Sequence, residues 1–332
     1  MKYLGYVSAE AKSIACGMEF LPISSERTRV PGAGVNLGSM ECTVCGAKTG
    51  KEHIFREMMF GTRREFSYWE CLACGCLQIE RVPDDLADHY PASYYSFSTH
   101  SSAWKKLYYR AHFLAPTLMR RLRRCSADIS SVIVAKPSKN TRILDVGSGA
   151  GRLVEILRSL GFDAHGIDPF LTSEGPYVRR TSLQDAGGIW DLIMFHHSLE
   201  HMQNHIEALR CARSKLAAGG ICLVRIPVAT WAWEYYGRDW VQLDAPRHLV
   251  IHTPKSFRLT AESAGFQIVQ TIFDSDGFLF RGSELYRRDF SLLDVRSRGQ
   301  FSPKSLRGFR AQADKLNMKQ NGDQAAFFLK AQ

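Results

Sequence analysis

Two C-x-x-C-G pairs, Cys42-Thr-Val-Cys45-Gly46 and Cys71-Leu-Ala-Cys74-Gly75, are separated by 25 residues. Each pair sets two thiols on one tight turn, and two such turns supply the tetrahedral thiolate set that holds a structural zinc. Four thiolates leave no open coordination position, so the expected role of Cys42, Cys45, Cys71 and Cys74 is to fold a small module. A second group is His196-His197-Ser-Leu-Glu200-His201. Imidazoles titrate near neutral pH, so this cluster can move a proton. The third is Asp145-Val-Gly147-Ser-Gly149-Ala-Gly151, with Asp168 seventeen residues beyond. Its glycines let the backbone approach a ligand without Cβ obstruction, and an acid closing a strand can accept ribose hydroxyls.

Alternating strands and helices must position these groups. Arg142 to Val146 is predicted as a short buried strand. Arg152 to Leu160 carries Leu153, Ile156, Leu157 and Leu160 at helical spacing, with Gly161 as its stop. Trp190 to Phe195 reads as the fourth strand, Ile206 to Leu216 as a helix stopped by Ala217 to Gly220, and Ile221 to Pro227 as the fifth strand. Thr253 is expected to cap a helix begun by Pro254 and ended at Gly265, and Phe266 to Phe273 follows as a strand. This alternation predicts an α/β fold, a doubly wound and mostly parallel sheet. Only eight residues separate Asp168 from Tyr177, where the third strand is expected. A parallel crossover normally needs a dozen or more, so its helix is expected to be missing or reduced to a turn.

The glycine spacing decides between ligands. A dinucleotide turn runs G-x-G-x-x-G, with pyrophosphate on the helix N-terminus. Here the third glycine comes one residue earlier, and Asp145 in the turn disfavours phosphate while suiting an amino group. The segment resembles motif I of class I S-adenosylmethionine-dependent methyltransferases. The resemblance covers about residues 140 to 332 and extends to Ser198-Leu-Glu-His201, Asp244-Ala-Pro-Arg-His-Leu249 and Ala264-Gly-Phe266. It is closest to methyltransferases of sugars and small metabolites, some with an N-terminal zinc domain that helps cover the acceptor.

That likeness implies a seven-stranded Rossmann-like sheet with its last strand, about 324–330, antiparallel, after a helical insertion at about 282–321. It implies S-adenosylmethionine as cofactor, held by Asp145, Gly147, Gly149, Gly151, Asp168 and His196. Glu200 and His201 occupy the family's Glu-His positions near the acceptor. His201 is the first choice of general base, with Glu200 orienting it or a substrate hydroxyl, and His248 the second. The competing role for each is to cap the next helix. His197-x-x-Glu200-His201 also matches an inverted zincin motif, but it sits at a strand-to-helix junction rather than within one helix.

Between Val228 and Thr253 runs a long segment holding Trp231, Trp233, Tyr235, Tyr236 and Trp240, then Arg247 and His248. The aromatics suit the apolar face of a sugar, or a lid held down by its own side chains. Arg247 suits a phosphate or carboxylate of the acceptor. The leading expectation is methylation of a sugar, nucleotide-sugar or glycan. The alternatives are a small-aromatic or quinone-precursor O-methyltransferase and a zinc-ribbon RNA binder or RNA methyltransferase. The RNA reading lacks an Asn/Asp-Pro-Pro-Tyr/Phe or Pro-Cys signature after the fourth strand, so a nucleic-acid partner is not expected.

Four segments follow along the 332 residues: a leader (1–39), a zinc ribbon (40–82), a basic helical linker (83–137) and the catalytic domain (138–332). The leader lacks periodicity and is expected to be a disordered tail or an over-extended start preceding Met40. Glu10 and Lys12 break any signal-peptide core, and no apolar run reaches ~20 residues, so a cytoplasmic protein is expected. The net charge of +10 is uneven, since residues 89–127 hold seven Lys/Arg and no acid. Residues 104–124 therefore read as a basic amphipathic helix, packed on the catalytic domain or touching an anionic membrane or substrate.

Overall fold

The computed structural model describes residues 40–91, 107–109, 111, 115 and 127–332. Its strands are β1 (Gly50–Arg56), β2 (Glu65–Cys71), β3 (Leu77–Ile79), β4 (Arg142–Val146), β5 (Asp163–Ile167), β6 (Val178–Arg179), β7 (Trp190–His196), β8 (Leu216–Pro227), β9 (Val250–Ile251), β10 (Phe266–Phe273) and β11 (Gln324–Ala331). Among the described residues the α-helices are α1 (Ala127–Val134), α2 (Arg152–Ser159), α3 (His205–Ser214), α4 (Trp231–Tyr236), α5 (Pro254–Ser263), α6 (Gly277–Arg287) and α7 (Pro303–Met318). The leader and most of the basic segment 104–124 lie outside the described residues. Of that segment, Tyr109 is buried and shares a core with Ile129 and Val132 of α1 and with Ile143 and Leu157 of the catalytic domain. No helix among the described residues is long and apolar enough to cross a membrane.

The main sheet has seven strands in the order β10-β11-β8-β7-β4-β5-β6. Strands β4 to β8 are mutually parallel, while β11 lies antiparallel between β8 and β10. The α/β sheet with an antiparallel last strand is thus present. The chain winds outward from β4 to β6, then returns to β7 beside β4, creating a switch point where ligands bind past the carboxyl ends of the strands. The glycine turn follows β4, and the His196–His201 segment follows β7. Both faces of the sheet carry apolar cores, one around Phe195, Leu209 and Phe257 and one around Ile143, Leu157 and Leu192.

The shortened crossover is as expected: β6 has two residues, and no helix joins it to β5. Thr253 caps α5 through a reciprocal pair with Ser256, and Gly265 follows at φ +78°. Two local expectations are corrected. Ala217 to Gly220 do not separate helix from strand, because β8 already pairs at Leu216 with Trp190 and then bulges before Ile221 meets Leu192. Gly219, at φ +78°, supplies the turn of that bulge. Asp145 lies inside β4, opposite Gly166 and Met194, rather than in the glycine turn.

The second sheet, β1-β2-β3-β9, begins in the cysteine module and takes its last strand from the segment after β8. Phe55, Phe66, Tyr68 and Trp69 lie in it, and Phe60 falls in the connection between β1 and β2. One core joins these residues to Ala232, Trp240, Leu279 and Leu316, so the module, the long segment and the α6–α7 insertion bury one another.

Candidate functional site

The glycine turn is shaped by backbone conformation and by contact. Gly147, Gly149 and Gly151 take φ of +73°, +53° and +79°, values that L-residues adopt at a cost. A Cβ on Gly147 would stand 2.5 Å from Ser198 Cβ, and one on Gly151 2.3 Å from Val178 Cγ2. At the end of β5, Asp168 Oδ2 accepts Gly149 N–H at 2.9 Å and Oδ1 accepts Phe170 N–H at 2.9 Å. An ionised carboxylate has about four acceptor positions, so Asp168 retains capacity for a ribose diol. These residues fit S-adenosylmethionine: a left-handed glycine turn for the methionine part and a placed acid for the ribose. Asp145 is buried in the strand beneath, and His196 is half-buried at the end of β7.

Across the switch point, Ser198 Oγ donates to Val146 O at 2.6 Å and pins the segment after β7 to the glycine turn. A short 3₁₀ turn, Leu199–His201, follows. Glu200 and His201 then meet His248, which arrives from the segment after β8; their ligand-type atoms lie within 4.8 Å of one another. All three residues singled out for catalysis are therefore together.

The tautomers can be read from their partners. His201 Nδ1 lies 2.9 Å from Arg247 O and 3.1 Å from Tyr90 Oη. A carbonyl only accepts, so His201 Nδ1 carries a proton, and in the neutral ring the lone pair is on Nε2. His248 Nδ1 likewise donates to Gln242 O at 2.8 Å, leaving Nε2 at 4.0 Å from Glu200 Oε1. Burial, reinforced by His201, holds His248 at about 4, below its ordinary value, so it is neutral at physiological pH. Burial would raise the Glu200 carboxyl, but the His197 hydrogen bond and the surrounding histidines outweigh it and hold it at about 2. Glu200 is an ionised, buried carboxylate whose Oε2 has no hydrogen-bond partner among the described residues.

In the long segment the aromatics follow the self-packed alternative, and the expectation for Arg247 is corrected. Trp240 and Tyr236 are buried, Trp240 Nε1 donates to Asp323 at 2.9 Å, and Trp233 packs edge-on to His53 and Phe55. Their apolar faces are taken by the protein itself, so they act as a brace rather than a sugar platform. Arg247 is fully buried, with NH2 2.8 Å from Glu57 Oε1 and 2.5 Å from Asp244 Oδ1. Two carboxylates already neutralise it, which removes it as a clamp for acceptor phosphate. Its work is to hold the carbonyl that orients His201.

Sequence reading missed the groups that the N-terminal module lends to this site. Glu57 fixes Arg247, Tyr68 Oη donates to His248 O at 2.8 Å, and Tyr90 reaches His201. No spacing rule links residues 111 to 190 positions apart. A cavity of about 150 Å³ is lined by Arg225, Gln242, Asp274, Phe278, Leu279 and Gln324 among others; it connects to the cluster through Gln242, whose carbonyl accepts His248 Nδ1–H. A larger cleft of about 520 Å³ runs along the outer strand β10 and touches none of these groups.

In the module, Cys42 and Cys74 sulfurs stand 3.7 Å apart and those of Cys45 and Cys71 3.5 Å. The four converge with all sulfurs within 4.8 Å, a spacing that fits one thiophilic ion. Gly46 N–H donates to Cys42 O and Gly75 N–H to Cys71 O, closing the two turns. The hydrogen bond from Cys74 lowers the Cys42 thiol to about 5, while the same contact raises Cys74, so the pair shares one stabilised thiolate. Cys76 is buried and lies outside the group.

A family model described as a methyltransferase domain matches residues 109–271. No curated protein matches the sequence. Similar solved structures include an S-adenosylmethionine-dependent methyltransferase from Archaeoglobus fulgidus, at 20% identity, covering 69% of this chain and 100% of that one, with a TM-score of 0.40. A cyclopropane synthase from Mycobacterium tuberculosis matches at 13% identity over 63% of this chain and 84% of its own, with a TM-score of 0.41. The CcbJ methyltransferase from Streptomyces caelestis matches at 14% identity over 61% and 88%, with a TM-score of 0.37. With its left-handed glycine turn, an acid closing β5 and a seven-stranded sheet carrying an antiparallel last strand, the chain is an S-adenosylmethionine-dependent methyltransferase with a class I methyltransferase domain.

Proposed function

We propose that the protein methylates a hydroxyl of a sugar-type acceptor bound against Glu200, His201 and His248, with His201 accepting the proton. The observation that carries this reading is the anchoring of His201 Nδ1 on Arg247 O, which leaves Nε2 as the lone-pair nitrogen of the neutral ring in a residue that meets the buried Glu200 carboxylate. S-adenosylmethionine, when bound, supplies an electrophilic methyl group on its sulfonium. The protein's part is to align the acceptor oxygen and take its proton. Glu200 Oε2 can accept a neighbouring acceptor hydroxyl, and Ser198 fixes this segment against the glycine turn. Gln242, whose carbonyl accepts His248 Nδ1–H, lines a polar cavity that suits a hydroxyl-rich ligand, while neutralised Arg247 favours recognition that does not depend on phosphate there. In the same reading Cys42, Cys45, Cys71 and Cys74 hold a structural zinc, which folds the module that braces the acceptor side.

The full chain incubated with methyl-labelled S-adenosylmethionine and a panel of monosaccharides, nucleotide-sugars and small phenols tests the acceptor class by mass spectrometry. Label in a sugar supports the proposal; label confined to phenols rejects it. His201→Ala should then lower turnover by ~10²–10⁴-fold with little change in cofactor affinity. Unchanged turnover would remove His201 from the base role.

A further inference from the structure

Strand β8 buries an arginine among apolar neighbours. Arg225 is 4% exposed and sits between the fully buried Val224 and Ile226. Its Nε donates to Asp274 Oδ2 at 2.7 Å, and Asp274 Oδ1 accepts Gln324 Nε2 at 2.9 Å. Its NH1 lies 2.7 Å from His197 Nε2, while its own carbonyl accepts His197 N–H at 2.9 Å. One residue therefore grips His197 by backbone and by side chain.

The chemistry of this contact has one solution. A guanidinium only donates and keeps its charge, so His197 Nε2 must accept. The proton of a neutral His197 then resides on Nδ1, which stands 3.2 Å from Glu200 Oε1. His197 also holds φ of +52°, a conformation that disfavours a side chain with a Cβ. Backbone strain of this kind persists where surrounding contacts over-determine the position.

We propose that Arg225, anchored by Asp274, is a positioning residue that locks His197 as its Nδ1–H tautomer, so that His197 donates to Glu200 Oε1 and leaves Oε2 for the acceptor. This rests on the reading of Glu200 as an acceptor-side group. An ion pair between Arg225 and Asp274 that served stability alone would leave the His197 tautomer unconstrained.

The test is the imidazole ¹⁵N spectrum of the full chain labelled at histidine, near neutral pH, in wild type, Arg225→Met and Arg225→Lys. Wild-type His197 is expected as Nδ1–H; Arg225→Met should shift a substantial fraction to Nε2–H, and Arg225→Lys, which retains a cationic donor, should restore Nδ1–H. An unchanged tautomer in Arg225→Met overturns the proposal. Wild-type His197 protonated on Nε2 does so as well, even where the Met variant fails to fold. Because this signal needs no acceptor, it separates from the catalytic reading: normal turnover in Glu200→Gln with the tautomer shift present would sink the role of Glu200 and leave the lock intact.

Discussion

Gly147 and Ser198 touch across the switch point of the sheet. The absent side chain of one leaves room for the other, at 2.5 Å from where a Cβ would stand, and Ser198 Oγ donates to Val146 O at 2.6 Å. The glycine turn and the proposed acceptor segment are thereby one packed unit, and changes on one side reach the other. Gly147→Ala combines an unfavourable left-handed residue, φ +73°, with this collision. It should lower stability by ~2 kcal/mol or more and weaken S-adenosylmethionine binding at least ~10-fold. Calorimetry and thermal melts check it; wild-type affinity would show that the contact yields freely.

Asp168→Ala removes the acceptor of Gly149 N–H and the proposed partner of the ribose. Hydrogen bonds to a charged group contribute ~1.5–3 kcal/mol each, so cofactor affinity should fall by ~100-fold or more. Titration calorimetry measures it directly. Unchanged affinity would separate the glycine turn from cofactor binding.

For the four-thiol cluster, Cys42→Ser with Cys71→Ser should release one metal ion per chain, measured by elemental mass spectrometry of the purified protein. The melting temperature should fall in parallel, since the module shares a core with the insertion helices. Full metal retention would contradict the assignment.

Arg247→Met leaves Glu57 and Asp244 as buried carboxylates without their cation. Breaking such a cluster by removing one partner costs ~3–5 kcal/mol. Urea unfolding should show a loss of this size, and a loss below ~1 kcal/mol would mean the two acids simply take up protons.

Burial holds His205 and His248 at about 4, below the ordinary histidine value of 6.5. The unfolded chain therefore binds protons that the folded chain refuses. Their contribution to stability is complete above pH 6.5 and is lost as pH falls from there through 4. Thermal midpoints across this range should decline, and His205→Phe should flatten the decline. An identical pH profile in that variant would show that His205 is not the group responsible.

The glycine turn, Asp168 and the two cysteine pairs were legible because each is a local pattern: spacing along a strand, turn or knuckle sets which atoms converge. The same holds for the Thr253 cap, the Phe266–Phe273 strand and the missing crossover helix before Tyr177. Trp240 was left between two roles and Arg247 was misread because sequence reveals what a side chain can bind, while burial decides what it does bind. Nothing within a few residues of Arg247 announces Glu57, and nothing near Trp240 announces Asp323.

Sequence alone therefore determined the sheet class, the glycine turn and the four-thiol set, since hydrophobic period, glycine conformation and ligand spacing are properties of short segments. Only tertiary structure decided which nitrogen of His201 is free, that Glu200 is ionised while buried, and that Arg225 reaches His197. Those outcomes depend on carbonyls, charges and desolvation contributed by segments distant in sequence. A proton's location is fixed by its neighbours in space.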